Sequence, residues 1–283
     1  MLKCKVPLDV NISYQHDCIL VSDVMKKSIE IYDLQYRSFV KSLKFVNKDV
    51  YAWHICVEHQ RFEKDSLIVV CSDCSVHKFD LKQLIMLETN DDMQSMLSSG
   101  LEKWKLLYFK PCGIDSDSTF KYESIEKQCI YIGDRGTGIR VVNSLKGNIL
   151  QTISISSFVK SVKVIANDEL LVSEFHPNLS VATSKLLVLK NNQDEWMLER
   201  TIGTQGTGEQ EIYFPHDFDF DHVSQNIIVS DTCNLRIQLF DYRTGRHVGC
   251  FKDVGKCLGI CLNEITGEVL IVNQTWKVIL TVK

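Results

Sequence analysis

The chain has 283 residues, 45% of them hydrophobic and 24% charged, with only 4 prolines, a composition that builds a full globular core and does not indicate disorder. Its 32 basic and 36 acidic side chains leave a net charge of −4, so no global field draws it to nucleic acid or an anionic membrane. The start lacks an apolar run of signal-peptide length, no stretch approaches ~18 uninterrupted apolar residues, and the eleven cysteines are odd in number and sit mostly in apolar runs. These features predict reduced thiols and a cytoplasmic protein.

In chain order, one short pattern recurs: an apolar run closed by a small residue and then usually a carboxylate. Its copies end at Asp23, Asp73, Asp134, Glu174, Asp231 and Gln274, a mean spacing of about fifty residues, which suits four-stranded propeller blades. Before each copy lies a strand often opened by a turn residue, as at Pro7, Pro111 and Pro215. After it comes an alternating strand such as Ile29–Asp33 or Arg236–Asp241, then a fourth such as Ser38–Leu43. The reading is an all-β, six-bladed β-propeller forming one domain over 1–283, with four-stranded antiparallel blades near 6–46, 50–88, 106–153, 158–200, 213–252 and 254–283. The last unit is one strand short, so residues 1–5 are expected to join it and close the ring.

The fifth unit carries the most specific signal. Residues 202–221 (IGTQGTGEQEIYFPHDFDFD) followed by 226–241 (NIIVSDTCNLRIQLFD) resemble an NHL repeat, while the other units keep the strand pattern but lose most hallmark glycines and the arginine. Known relatives of that family are mainly interaction platforms, and a peptide-amidating lyase and lactonase-like enzymes share the related architecture. The resemblance therefore implies a noncatalytic protein-interaction scaffold. The alternatives it raises are a lyase- or lactonase-like enzyme with a metal at the central channel, and a module for single-stranded RNA.

In such a blade the start of the inner strand, the turn between strands two and three and the link to the next blade share one face, here called the top. Insertions at 89–105, 175–184 and 201–213 fall there, and loops on one face carry function in repeat folds. Aligning the units puts Leu8, Trp53, Cys112, Lys160, His216 and Leu258 at the channel mouth, with Asp9, His54, Gly113, Ser161, Asp217 and Gly259 beside them. The candidate binding residues are Trp53, His54, Trp104, Lys160, His176, His216 and Asp217, because aromatics and histidines at a mouth serve as anchors.

Catalytic zinc needs about three protein ligands, and only His216 matches directly, with His54 adjacent. No metal, other cofactor or catalytic residue is assigned, although His54, His176 and His216 would converge if the 175–184 loop folded over the channel. The carboxylate column reads as turn caps rather than an acidic ring, which predicts cheap Asn replacements. Cys71 and Cys74 have metal spacing without a second pair, and the glycines from Gly133 to Gly138 precede a strand and not a helix, so both read as tight turns. Lys41 to Lys48 and Lys103–Lys105 are the segments able to touch RNA phosphates, a partner that the overall acidity disfavours.

Overall fold

The computed structural model describes residues 2–45, 49–59, 65–87, 101–107, 110–116, 128–136, 138–176 and 183–282. The chain is an all-β propeller of antiparallel four-stranded blades. The first blade runs from its inner to its outer strand as β2 (Pro7–Ser13), β3 (Cys18–Asp23), β4 (Ser28–Asp33) and β5 (Phe39–Lys44). The second holds β6 (Ala52–Glu58), β7 (Ser66–Cys71), β8 (Val76–Asp80) and β9 (Glu102–Leu106). The third is β10 (Pro111–Ser116), β11 (Cys129–Asp134), β12 (Gly138–Asn143) and β13 (Ile149–Ile153).

The fourth comprises β14 (Phe158–Ala166), β15 (Glu169–Phe175), β16 (Ser184–Asn192) and β17 (Glu195–Ile202). A short parallel pair, β18 (Thr204–Gln205) with β19 (Glu211–Ile212), links it to the fifth blade. That blade is β20 (Pro215–Asp221), β21 (Asn226–Asp231), β22 (Arg236–Asp241) and β23 (His247–Phe251). Six blades were expected. Five are each folded from one uninterrupted stretch of chain, whereas β24 (Cys257–Asn263), β25 (Glu268–Asn273) and β26 (Val278–Val282) form a four-stranded sheet only by taking β1 (Leu2–Lys3) from the other end. Leu2 pairs with Ile279 and Lys3 with Val278.

The second strands read as continuous apolar runs because they are covered on both faces; every residue of β3 and β7 is buried. Their side chains pack between blades. Leu20 and Ile29 meet Ile55 and Leu67 between the first and second blades, and Val10 and Ile19 meet Leu258 and Leu270 between the first blade and the shared sheet. Outer strands have one solvated face and alternate instead, as β5 does. All eleven cysteines are free, and among the described residues no helix is long and apolar enough to cross a membrane.

Two expectations are corrected here. The second blade does not end at residue 88. Where its outer strand was expected, Asp80 accepts a hydrogen bond from the Gln83 amide at 3.0 Å and caps a helix, α1 (Leu81–Met86), whose Leu81 and Leu84 enter the core. The strand is supplied later by β9, which shortens the expected 89–105 insertion; residues 88–100 lie outside the described set. The carboxylate column also shifts register. Pro7 faces Asp23 and Pro215 faces Asp231, but the equivalent partners are Cys71 for Ala52 and Asn273 for Cys257. Asp73 therefore sits out in the turn and Gln274 just past its strand.

Candidate functional site at the channel mouth

Each innermost strand carries a register shift close to its top end: between Pro7 and Asp9, Ala52 and His54, Pro111 and Ile114, Val159 and Ser161, Pro215 and Phe218, and Cys257 and Ile260. A bulge bends a strand and re-aims its side chains. The aligned positions Asp9, His54, Gly113, Ser161, Asp217 and Gly259 thereby contact one another around the channel. Asp9 Oδ2 accepts the Ile55 amide at 2.8 Å and lies 3.4 Å from His54 Nδ1. Ser161 Oγ donates to Asp217 Oδ1 at 2.6 Å, and Asp217 Oδ2 accepts the Ile260 amide at 2.9 Å. The two glycines are required by close approach: a Cβ on Gly113 would stand 2.3 Å from Ser161 Cα, and one on Gly259 2.8 Å from Asp9 Cα.

Two residues further along the strands, on the same face, the pattern repeats. Asp115 Oδ2 accepts the Val164 amide at 2.8 Å, Asp219 Oδ2 accepts the Leu262 amide at 2.7 Å, and Asp219 Oδ1 pairs with Lys163 Nζ at 2.8 Å. These carboxylates fasten one inner strand to the next. Below them the opposite end of the channel opens into a cavity of about 380 Å³ bordered by Tyr14, His59, Lys163, Asp219 and His222.

Above the upper ring the side chains are aromatic and cationic. Lys160 Nζ lies 3.4 Å from His54 Nε2, and the rings of His54 and His216 are 6.0 Å apart. Arg135, from the turn after β11, stacks on Trp53 at 4.7 Å and directs Nε to Cys112 Sγ at 3.0 Å. Phe214 lies 6.0 Å from His216 and edge-on to Phe175 at 4.4 Å. Burial pushes His216 well below the usual histidine range, helped by the positive Lys160. It lowers His54 in the same way, and it lowers Lys160, with Arg135 adding repulsion. Burial first, and the neighbouring Asp9 second, push Asp217 up to about 7.

Of the residues singled out from sequence, Trp53, His54, Lys160, His216 and Asp217 come together at this mouth. His176 stacks on Phe158 at 6.2 Å; residues 177–182 of its loop are outside the described set. Trp104 is elsewhere. It is buried in β9 on the flank between the second and third blades, where its indole N–H donates to the Ser144 carbonyl at 2.7 Å and its ring covers Gly147. The same carbonyl accepts from Lys78, which is paired with Glu58 at 2.5 Å, so Trp104 belongs to a packed interface. Sequence reasoning missed Arg135, which it had read only as part of a glycine-rich turn. It also missed Asp115, Lys163 and Asp219, although their spacing of two from Gly113, Ser161 and Asp217 was a readable signal. Among the described residues no three His, Cys, Asp or Glu side chains are grouped to hold a metal ion.

The fold and the stacked rings along its axis define a β-propeller. No family model matches the chain, and no curated protein does. Among solved structures it is similar to the β-propeller domain of Myceliophteria thermophila Cps50 (Swd1), with 11% identity and a TM-score of 0.64 over 99% of this chain and 97% of that one. It is also similar to the WD40 β-propeller domain of Doa1, with 9% identity and a TM-score of 0.64 over 97% of this chain and 78% of that one. At these identities the likeness is one of fold.

Proposed function

We propose that this chain is a noncatalytic propeller of the NHL type that acts in the cytoplasm as a protein-interaction scaffold through its top face. The observation that carries the reading is the division of labour along the channel. The carboxylates Asp9 and Asp217 accept backbone amides from the next inner strand, while Trp53, Arg135, Lys160 and His216 gather above them. Aromatic rings beside a cation are the composition of an interaction hot spot.

The shared sheet counts in this reading as a sixth blade, since β24 neighbours both β20 and β2 and closes the sequence of inner strands. The NHL assignment is supported by the fifth blade, where Arg236 ties the 201–213 loop to Asp231. The free state of every cysteine accords with a reducing compartment.

The test is affinity purification from the native cell with wild-type protein and with Trp53→Ala and Arg135→Ala variants of unchanged melting temperature. Protein partners that the wild type captures and the variants lose support the scaffold. An identical partner set for all three refutes the top-face assignment. Capture of RNA whose affinity falls steeply with salt refutes the protein-binding one.

A further inference from the structure

The nearest carboxylates of the mouth, Asp9 and Asp217, are engaged by the Ile55 and Ile260 amides, and neither forms an ion pair with the cations Lys160 and Arg135 above them. The Nζ of Lys160 has one hydrogen-bond partner among the described residues, the His54 ring nitrogen at 3.4 Å, and no ion pair, although Asp9 and Asp217 are near enough to act on it electrostatically. His216 is only 8% exposed, and its Nδ1 is buried with no hydrogen-bond partner. The guanidinium of Arg135 stands on Trp53 with Nε toward a thiol. Buried polar atoms are normally satisfied, and an exception asks for a missing partner. Lys160 and Arg135 have N–H donors without a charged acceptor, and the His216 Nδ1, in the tautomer that carries its proton, adds a third.

We infer that the channel mouth is a carboxylate-binding site, in which Lys160, His216 and Arg135 receive an Asp or Glu side chain from an acidic segment of a protein partner while Trp53 packs beside it. A carboxylate fits this chemistry: its two oxygens accept from the Lys160 ammonium and the His216 imidazole, and the flat Trp53 ring borders the site on the side of Arg135. The assignment rests on the scaffold reading above and names the chemistry of the partner.

Binding should be linked to protons. The groups that face Lys160 and His216 are Arg135, Cys112, Asp9, Asp217, His54 and Lys256. As pH falls through about 7, Asp217, raised by burial and by the neighbouring Asp9, loses its repelling charge. That change favours an anion, whereas His216, held well below the usual histidine range by burial and Lys160, stays neutral over the same window. Affinity should rise as pH falls from about 8 to about 6.

The experiment is calorimetric titration of the whole chain with an acetylated and amidated hexapeptide of alternating Gly and Asp, with its Gly-Asn counterpart, with inorganic phosphate and with oligouridylate. The expected results are binding of the Asp peptide alone, tightening toward low pH, and a loss of roughly ten- to a hundredfold in Lys160→Met and Arg135→Gln. Lys160→Met should also melt no lower than wild type, because it removes a half-buried charge that makes no ion pair. Equal binding of the Asp and Asn peptides, unchanged affinity in Lys160→Met, or tighter binding of phosphate or oligouridylate each overturns the assignment. Native-cell partners that remain bound to Lys160→Met would refute the carboxylate site and leave the scaffold standing, whereas a wild type that captures no protein refutes the scaffold itself.

Discussion

Asp231 is the place where the turn-cap reading of the carboxylate column can be tested hardest. It is fully buried at the end of β21 and holds four donors. Oδ1 accepts the Tyr213 amide at 2.6 Å, and Oδ2 accepts Arg236 Nε at 2.7 Å, Asn234 Nδ2 at 2.8 Å and Gln238 Nε2 at 2.8 Å. Arg236 in turn donates to the carbonyls of Thr207, Gly208 and Glu211, so one ion pair organises the whole loop before the fifth blade. Asp231→Ala should cost about 3–5 kcal/mol, the usual price of leaving a buried ion without its partner.

Asn at this position should be nearly as damaging, against the sequence expectation of a cheap exchange. Its oxygen can keep the Tyr213 amide, but its NH2 then faces three donors in place of an acceptor. Urea unfolding of wild type, Asp231→Asn and Asp73→Asn decides the matter. Asp73 is exposed and its amide contact is to Ser75 within its own turn, so that variant should fall within about 0.5 kcal/mol of wild type. The double variant Asp231→Ala with Arg236→Met should recover part of the single loss. An Asp231→Asn midpoint indistinguishable from that of Asp73→Asn would refute the hub.

Two further outcomes follow from the ring and its closure. A carboxyl held up to about 7 in the fold binds its proton more tightly there than unfolded, so the stability that Asp217 contributes is full at low pH and falls as pH rises from about 4 through about 7. His54 and His216, held neutral by burial, act in the opposite sense, losing stability as pH drops below about 6.5. Urea midpoints of Asp217→Asn should therefore climb more steeply between about pH 5 and pH 7 than those of wild type, and parallel profiles would refute the assignment. A chain starting at Val6 loses Leu2, which is 5% exposed, and the pairing of β1 with β26; it should melt about 5 °C or more lower, for burial worth roughly 2 kcal/mol and the strand pairing besides. An unchanged melt would show that the shared strand does not hold the ring.

The strands were legible because second strands squeezed between blades must be apolar along their length, and Ile227–Ser230 or Ile19–Ser22 announce that burial directly. The mouth alignment was legible for the same reason, since the apolar runs set the register of the inner strands beside them. The outer strand of the second blade was not. An outer strand has only one face to bury, so its pattern is weak, and the apolar stretch Leu84–Leu87 reads as a short strand although the three-residue spacing of Leu81 and Leu84 is that of a helix face. Trp104 was misread for a related reason: an aromatic between two lysines reads as a surface anchor until the neighbouring blade, with Gly147 making room, is known to cover it. The shift of the carboxylate column to Cys71 and Asn273 escaped because Val70–Cys71 and Val272 continue the apolar run into places that Ser22–Asp23 hold in the first blade, which pushes the recognisable polar residue further along the chain.

The bulges explain why fastening and recognition coexist at one level of the channel. In a regular ladder each residue has a partner, and its side chain is constrained by the pair. A bulge frees one residue from that pairing, and here the freed positions include Trp53, Lys160 and His216, whereas their neighbours His54, Ser161 and Asp217 make the contacts that run from blade to blade. The bulged positions of the first blade and the shared sheet are Leu8 and Leu258, and both pack into the apolar cluster between those two sheets. The polar half of the mouth thus lies over the second to fifth blades, and the apolar half over the seam where the chain ends meet. A partner that reads charge must then approach off the axis, toward Lys160 and Arg135, and substitutions at Leu8 or Leu258 should act on closure of the ring before they act on binding.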